Sequence, residues 1–304
     1  VFKLEELAGV LPALISPLRS DGKIDEPAVT RLVDHVVGGG VSGVLALGST
    51  GETASLDETA RRAMLSAVVD AAAGRVPVIC GVAQSHLAAA RTEVEAAARL
   101  GAEAALVAPP FYYLIDQPTL LAFYRRLAKD SPLPILLYNI PQYTKLVADP
   151  ATVATLAREG TIVGIKDSSR DFEYFEGVCI ATRDLPRFRI FTGSDTMLLP
   201  SLAMGGAGTI CGGGNVAPGW LVRIYQSFRE GDMATARDAQ DRLYQLIAVL
   251  RKGVFPAAIK AACHLQGICD PWCAPPIEPL DDQTEATLRD RLEAWGLLTG
   301  AVKR

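Results

Sequence analysis

The chain has 304 residues, 49% of them hydrophobic, and a formal net charge of −4. That is enough apolar material for one large core, at a length that α/β barrels reach as a single domain. No basic run marks a nucleic-acid or membrane-surface footprint, and no apolar stretch approaches the ~18 residues that span a bilayer. The N-terminal Val1-Phe2-Lys3-Leu4-Glu5-Glu6 lacks a signal-peptide pattern, so the expectation is a cytoplasmic protein with no nucleic-acid or membrane partner.

Short apolar runs alternate with helical patterns at intervals of roughly 25 to 30 residues, the signature of βαβ units. Strands are expected over 11–16, 43–47, 77–81, 104–108, 134–138, 162–166, 188–191 and 208–211, and these eight runs would close a TIM (β/α)8 barrel. After the first, Val29, Leu32, Val33, Val36 and Val37 form a helical stripe, with Asp25 as N-cap and Pro27 in the first turn. Ser55-Leu56-Asp57-Glu58 reads as a capping box opening the next helix. Beyond the eighth strand, Ala236, Ala239, Leu243, Leu246, Ile247 and Leu250 form an apolar helical face. Further helices are expected over 254–265 and 284–295, separated by a Pro-rich stretch at 271–279. The chain thus divides into a barrel, 1–230, and a C-terminal helical extension, 231–304, packed on it.

Six cysteines and three histidines offer little to a metal. No CxxC or HExxH occurs, and the spacing of Cys263, His264, Cys269 and Cys273 fits no common zinc site. No metal and no cofactor is expected. Cys80 and Cys211 fall in strand-like runs, where a free thiol packs as a small hydrophobe. His35 and His86 fall within or at the start of helices.

The ends of the strands carry the chemistry. Ile162-Val163-Gly164-Ile165-Lys166 closes on a lysine at the edge of a dry interior, and a lysine amine can attack a ketone to form a Schiff base. One βα unit earlier, Pro134-Ile135-Leu136-Leu137-Tyr138 ends on a tyrosine. With a side-chain period of two, Gly164 and Lys166 share one face, as do Leu136 and Tyr138, so neighbouring parallel strands would bring amine and phenol to one rim. Gly48-Ser49-Thr50-Gly51-Glu52 follows the second strand and offers hydroxyls and backbone N–H groups to a carboxylate. Pro109-Pro110-Phe111-Tyr112-Tyr113 follows the fourth as an aromatic rim. Thr192-Gly193-Ser194-Asp195 and Ile210-Cys211-Gly212-Gly213-Gly214-Asn215 follow the seventh and eighth. Glycine loops there bind phosphate in many barrels, which gives a rival reading as a phosphosugar or flavin enzyme. Against it, residues 208–220 contain no Lys or Arg.

GSTGE at 48–52, PFYY at 110–113, YNIP at 138–141, GIKDSS at 164–169 and GSD at 193–195 occur in that order. With these motifs the chain resembles the dihydrodipicolinate synthase and N-acetylneuraminate lyase family from about Gly9 to its C-terminal helices. The resemblance implies a TIM barrel, a homotetramer and pyruvate Schiff-base chemistry. It matches Lys166 to the Schiff-base lysine, Tyr138 to the catalytic acid/base, and Ser49 and Thr50 to the groups that hold the pyruvyl carboxylate and pass protons. Tyr112 matches a tyrosine that reaches into a neighbouring subunit's site. Gly193 and Ile210 match positions whose backbone lines the pocket.

The departures bear on substrate. Where the synthases place an arginine after YNxP to bind the second substrate's carboxylate, this chain has Tyr143, and a phenol cannot replace a bidentate guanidinium. The acidic residue that follows the seventh-strand aspartate in sialic acid lyases is Thr196 here. The run Lys166-Asp167-Ser168-Ser169 is closer to aldolases acting on 2-keto-3-deoxy sugar acids, with Ser168, Asp195 and Gly212 shaping the aldehyde side. The reading is therefore reversible cleavage of a 2-keto-3-deoxy acid to pyruvate and an aldehyde. Condensation of pyruvate with aspartate semialdehyde, dehydration through the same imine, and a catalytically silent binding barrel are its alternatives.

Overall fold

The computed structural model describes residues 7–298, so the N-terminal segment 1–6 read above lies outside the described residues. Eight strands follow in order: β1 Gly9–Pro12, β2 Val44–Ala46, β3 Val78–Val82, β4 Ala104–Val107, β5 Ile135–Asn139, β6 Gly164–Asp167, β7 Arg189–Thr192 and β8 Gly208–Cys211. They pair in parallel in the order β1-β8-β7-β6-β5-β4-β3-β2. An Ala13–Leu45 bridge, with Leu14 N–H donating to Leu45 O at 2.9 Å, joins the first strand to the second and completes the ring.

Period-two alternation divides the strand residues between two cores. Leu11, Leu45, Ile79, Leu106, Leu136, Tyr138, Phe191 and Ile210 fill the barrel. Their neighbours Val10, Val44, Cys80, Val107, Leu137, Ile165 and Ile190 face outward to the helices. The helices supply the matching stripes: α1 Glu26–Gly38 buries Ala28, Val29, Leu32, Val33 and Val36, while α2 Glu58–Ala72, α3 Leu87–Arg99 and α4 Gln117–Ala128 follow β2, β3 and β4. After β5 come a one-turn α5 Pro141–Thr144 and α6 Pro150–Arg158; α7 Phe172–Ala181 follows β6, and α8 Leu198–Ala203 follows β7. The chain ends in α9 Pro218–Arg229, α10 Met233–Leu250, α11 Ala257–Leu265 and α12 Asp282–Ala294. All six residues of the expected apolar face of α10 are buried.

Most strand boundaries shift by one or two residues from expectation, and three differences have a clear local reason. The first strand starts at Gly9, not residue 11, because Gly9 and Gly208 allow a backbone approach that a β-carbon on Gly208 would block by overlapping Gly9 O. Past Pro12 its partners become mixed: Ala13 N–H donates to Cys211 O at 2.9 Å, and Ile15 N–H to the Asn215 side chain at 3.0 Å. The cap of α2 is Asp57, whose carboxylate accepts from Ala60 N–H at 2.8 Å, rather than Ser55, which forms a turn onto Glu52 O. α11 begins at Ala257, after Gly253 turns through φ 69 and Pro256 occupies the cap position.

Candidate active site

β5 and β6 place Tyr138 directly beside Lys166 in the ladder, at the carboxyl ends of both strands. The side chains point into the barrel mouth, and the Lys166 ammonium nitrogen lies 4.5 Å from the centre of the Tyr138 ring. Lys166 is 3% exposed, and no carboxylate of the described residues comes within ion-pair distance of it. The strand keeps it there by small neighbours. At Gly164, one layer deeper, a β-carbon would stand 2.5 Å from Arg189 O, and at Gly193 one would overlap Ser168 Oγ and stand 3.0 Å from Lys166 Cε. Directly after the lysine, the buried Asp167 accepts from Asn139 Nδ2 at 2.8 Å, Ser169 N–H at 3.1 Å and Ser169 Oγ at 2.9 Å. Burial nevertheless raises the Asp167 carboxyl above its ordinary value, and these hydrogen bonds oppose the rise.

The GSTGE loop faces this pair. Ser49 Oγ is 3.4 Å from Tyr138 Oη, so serine rather than threonine makes the contact with the phenol. Thr50 is buried on the same wall, 3.6 Å from where a β-carbon on Gly212 would stand. Leu47 and Glu52 hold left-handed backbone, φ 59 and φ 56, at the two ends of the loop. Such conformations persist where surrounding contacts fix them, and Glu52 shows how. Its carboxylate lies 2.5 Å from Lys260 Nζ on α11, with both side chains buried, and its other oxygen accepts from Ala274 N–H at 2.7 Å. Lys260 also donates to Trp272 O at 2.6 Å. The loop is thereby tied to α11 and to the segment after it.

One cavity of about 440 Å³ gathers Ser49, Thr50, Tyr138, Tyr143, Lys166, Ser168, Gly193, Asp195, Ile210 and Gly212. Ten of the eleven residues singled out from the sequence thus meet on one wall. Asp195 also braces that wall, because its Oδ1 accepts from Gly213 N–H at 2.8 Å and so joins the loops after β7 and β8. Tyr112 is the exception: it is 87% exposed, at φ 82, and its ring packs edge-on against Tyr113 rather than entering the cavity of its own chain. Tyr143 on α5 lines the wall, and burial followed by Tyr138 raises its phenol above the ordinary value, with Arg170 opposing. Lys145 turns away, donating to Gln142 O at 2.9 Å, and supplies no cation there.

The wall also holds residues that sequence reasoning missed: Arg170 after β6, and Ile247, Leu250, Arg251, Lys252 and Phe255 from α10 and the turn behind it. One signal for the latter was present, since Arg251-Lys252-Gly253 immediately follows the apolar face ending at Leu250. A second, apolar cavity of about 360 Å³ shares Ser49, Tyr138, Ile140, Tyr143 and Phe255 and adds Phe111. Among the described residues, no helix is long and apolar enough to cross a membrane.

Comparison with known proteins agrees with this geometry. The model of the dihydrodipicolinate synthetase family matches residues 6–295. An uncharacterized DapA-like lyase of Halobacterium salinarum is 35% identical over 292 residues, 96% of this chain and 95% of that protein. A 4-hydroxy-tetrahydrodipicolinate synthase of Methanothrix thermoacetophila is 33% identical over 295 residues, 97% of this chain and 99% of that one. YagE, a prophage protein of E. coli K12 solved in complex with pyruvate, superposes with a TM-score of 0.92 at 30% identity, covering 96% of this chain and 99% of its own. A lysine and a tyrosine at adjacent strand ends, a barrel of this topology and a match along nearly the whole chain lead to one assignment: the protein belongs to the dihydrodipicolinate synthetase family and is a lyase.

Proposed function

We propose that this lyase cleaves a 2-keto-3-deoxy acid to pyruvate and an aldehyde through a Schiff base on Lys166. The observation that carries the reading is a buried lysine that has no carboxylate partner among the described residues, set over the Tyr138 ring in a cavity beside Ser49. Ser49 and Thr50 hold the substrate carboxylate. The Lys166 amine adds to the C2 carbonyl, water leaves, and the protonated imine becomes the electron sink. Tyr138, relayed through Ser49 and Thr50, takes the C4 hydroxyl proton. The C3–C4 bond breaks, its electron pair moves into the imine as an enamine, and the aldehyde departs. Protonation at C3 and hydrolysis release pyruvate and restore the amine. Gly193 and Ile210 border the pyruvyl half; Tyr143, Ser168, Asp195 and Gly212 border the aldehyde half.

Tyr112 enters this scheme only in an assembly. An exposed run of Tyr112, Tyr113 and Leu114 is an apolar surface suited to a second copy, and a homotetramer would place each Tyr112 near a neighbour's Ser49–Tyr138 pair. Light scattering across a dilution series, with Tyr112→Asp as comparison, tests that part. A second reading, condensation of pyruvate with aspartate semialdehyde, is favoured by the names of several relatives. Pyruvate and borohydride should leave one reduced adduct, mapped by mass to Lys166. A screen of 2-keto-3-deoxy acids for pyruvate release then separates cleavage from condensation. An adduct on another lysine, or none, would sink the Schiff-base reading.

A further inference from the structure

The cavity wall carries Lys166, Arg170, Arg251 and Lys252 against the carboxylate of Asp195, on a chain whose formal net charge is −4. Of these, only Lys166 is required by the imine chemistry, and Asp195 is engaged with Gly213 N–H. The cations at the rim have no such employment. Among the described residues, neither the Arg170 nor the Arg251 guanidinium makes a hydrogen bond or an ion pair. Both are exposed at the mouth, one on the loop after β6 and the other at the end of α10, where its N–H is anchored on Ile247 O.

Arg170 is placed at a cost. Its backbone sits at φ 63, a left-handed conformation that glycine adopts freely and a residue with a β-carbon does not. The turn is needed because Asp171, the next residue, caps α7 through Tyr174 N–H at 3.1 Å. Glycine would make this turn without strain; arginine adds a guanidinium to the cavity wall. Strain of this kind collects at ligand-binding positions. The two guanidinium groups also feel one another: burial and then Arg170 hold Arg251 below its ordinary value, with Asp195 opposing. Like charges brought together in the free protein are relieved when an anion bridges them, and two forked guanidinium groups suit carboxylate and phosphate oxygens.

We propose that Arg170 and Arg251 bind an anionic group at the end of the substrate remote from the keto acid, so that the substrate is a 2-keto-3-deoxy acid ending in a carboxylate or a phosphate. This rests on the Schiff-base reading of Lys166. Aspartate semialdehyde also ends in a carboxylate, but the ammonium beside it cancels that charge and weakens its attraction to the arginine pair.

Borohydride trapping at Lys166 tests the proposal without needing turnover. Three non-cleavable 2-oxo acids of equal carbon length are compared: one ending in a methyl group, one in a carboxylate and one in a phosphate. Pyruvate, too short to reach the rim, is the reference. In the wild type, half-trapping should need about tenfold less of at least one anionic probe than of the methyl-ended one, as expected for charge-assisted hydrogen bonds. The tighter of the two anionic probes identifies the group. Arg170→Gly combined with Arg251→Ala should abolish that preference and leave the methyl-ended probe unchanged. Arg170→Gly alone should melt no lower than wild type, because it removes a left-handed arginine. Equal trapping of all three long probes, a preference for the methyl end, or a lower melting point for Arg170→Gly would overturn the assignment. Failure to trap pyruvate itself would instead strike the Schiff-base reading beneath it.

Discussion

Lys166 and Lys260 are both withdrawn from water, 3% and 0% exposed, and both stand within reach of the same loop. Lys260 meets Glu52 at 2.5 Å and Trp272 O at 2.6 Å, so its charge and its protons are accounted for. Lys166 meets the face of Tyr138 and, among the described residues, no carboxylate. Burial alone therefore does not mark a reactive lysine. What separates the two is whether the fold answers the nitrogen: one is locked into a brace, and the other, on the proposed reading, is left open to a carbonyl. Removing either should damage the enzyme, in opposite ways.

The largest effect should come from Lys166→Ala, with turnover falling about 10⁴-fold or more, because no covalent intermediate forms. Borohydride adducts should vanish, while the thermal midpoint stays or rises since no ion pair is lost. Residual activity near wild type would make the two lysines equivalent and end the comparison. Next is Tyr138→Phe, which should still trap pyruvate yet lose roughly 10²–10⁴-fold in kcat with the proton transfer gone. Lys260→Met should do the reverse: Glu52 would be left buried and unpaired, costing about 3–5 kcal/mol of stability. Adding Glu52→Gln should recover much of that loss in denaturant titrations. If Lys260→Met melts like wild type, the brace is not one.

A smaller effect concerns the aldehyde side. On the proposed reading Tyr143 replaces the carboxylate-binding arginine of the synthases, and the ammonium of aspartate semialdehyde weakens its hold on Arg170 and Arg251. Aspartate semialdehyde should therefore show a kcat/KM at least about tenfold below that of the best 2-keto-3-deoxy acid partner. Smallest is a pH effect at Asp167. Burial raises its carboxyl, so the native state keeps its proton where the unfolded chain has already released it. Stability contributed by that proton is present below the ordinary value of 3.8 and is lost as pH climbs from there through the raised folded value. Asp167→Asn should flatten this part of the melting-temperature profile; an unchanged slope would assign it to another group.

The lysine–tyrosine pair is legible in the sequence because strands have a fixed period of two and both apolar runs stop on a polar residue. The apolar face of α10 is legible for the same kind of reason, a helical period that survives in all six positions. Arg170 and Arg251 are not. They come from a turn and a helix end far apart in the chain, where hydrophobic periodicity is silent, and the left-handed backbone of Arg170 leaves no mark on residue type. Glu52 lies between: its motif singles out the loop, but its partners depend on how α11 and the segment behind it dock. A hint does exist in Ala257-Ala258-Ile259-Lys260-Ala261-Ala262, where one lysine interrupts an otherwise apolar run.

The brace on Glu52 also has a consequence in time. The residues joined by its hydrogen bond to Ala274 are 222 positions apart. At about 5–20 residues per second, a ribosome needs roughly 10–45 s to make the chain between them. Over that interval the loop has emerged with its serine, its threonine and its strained glutamate, but with neither the lysine nor the backbone that steady it. All five sequence motifs, the last ending at Asp195, are made before either Lys260 or Ala274. The loop takes its working shape only once those two residues have followed it.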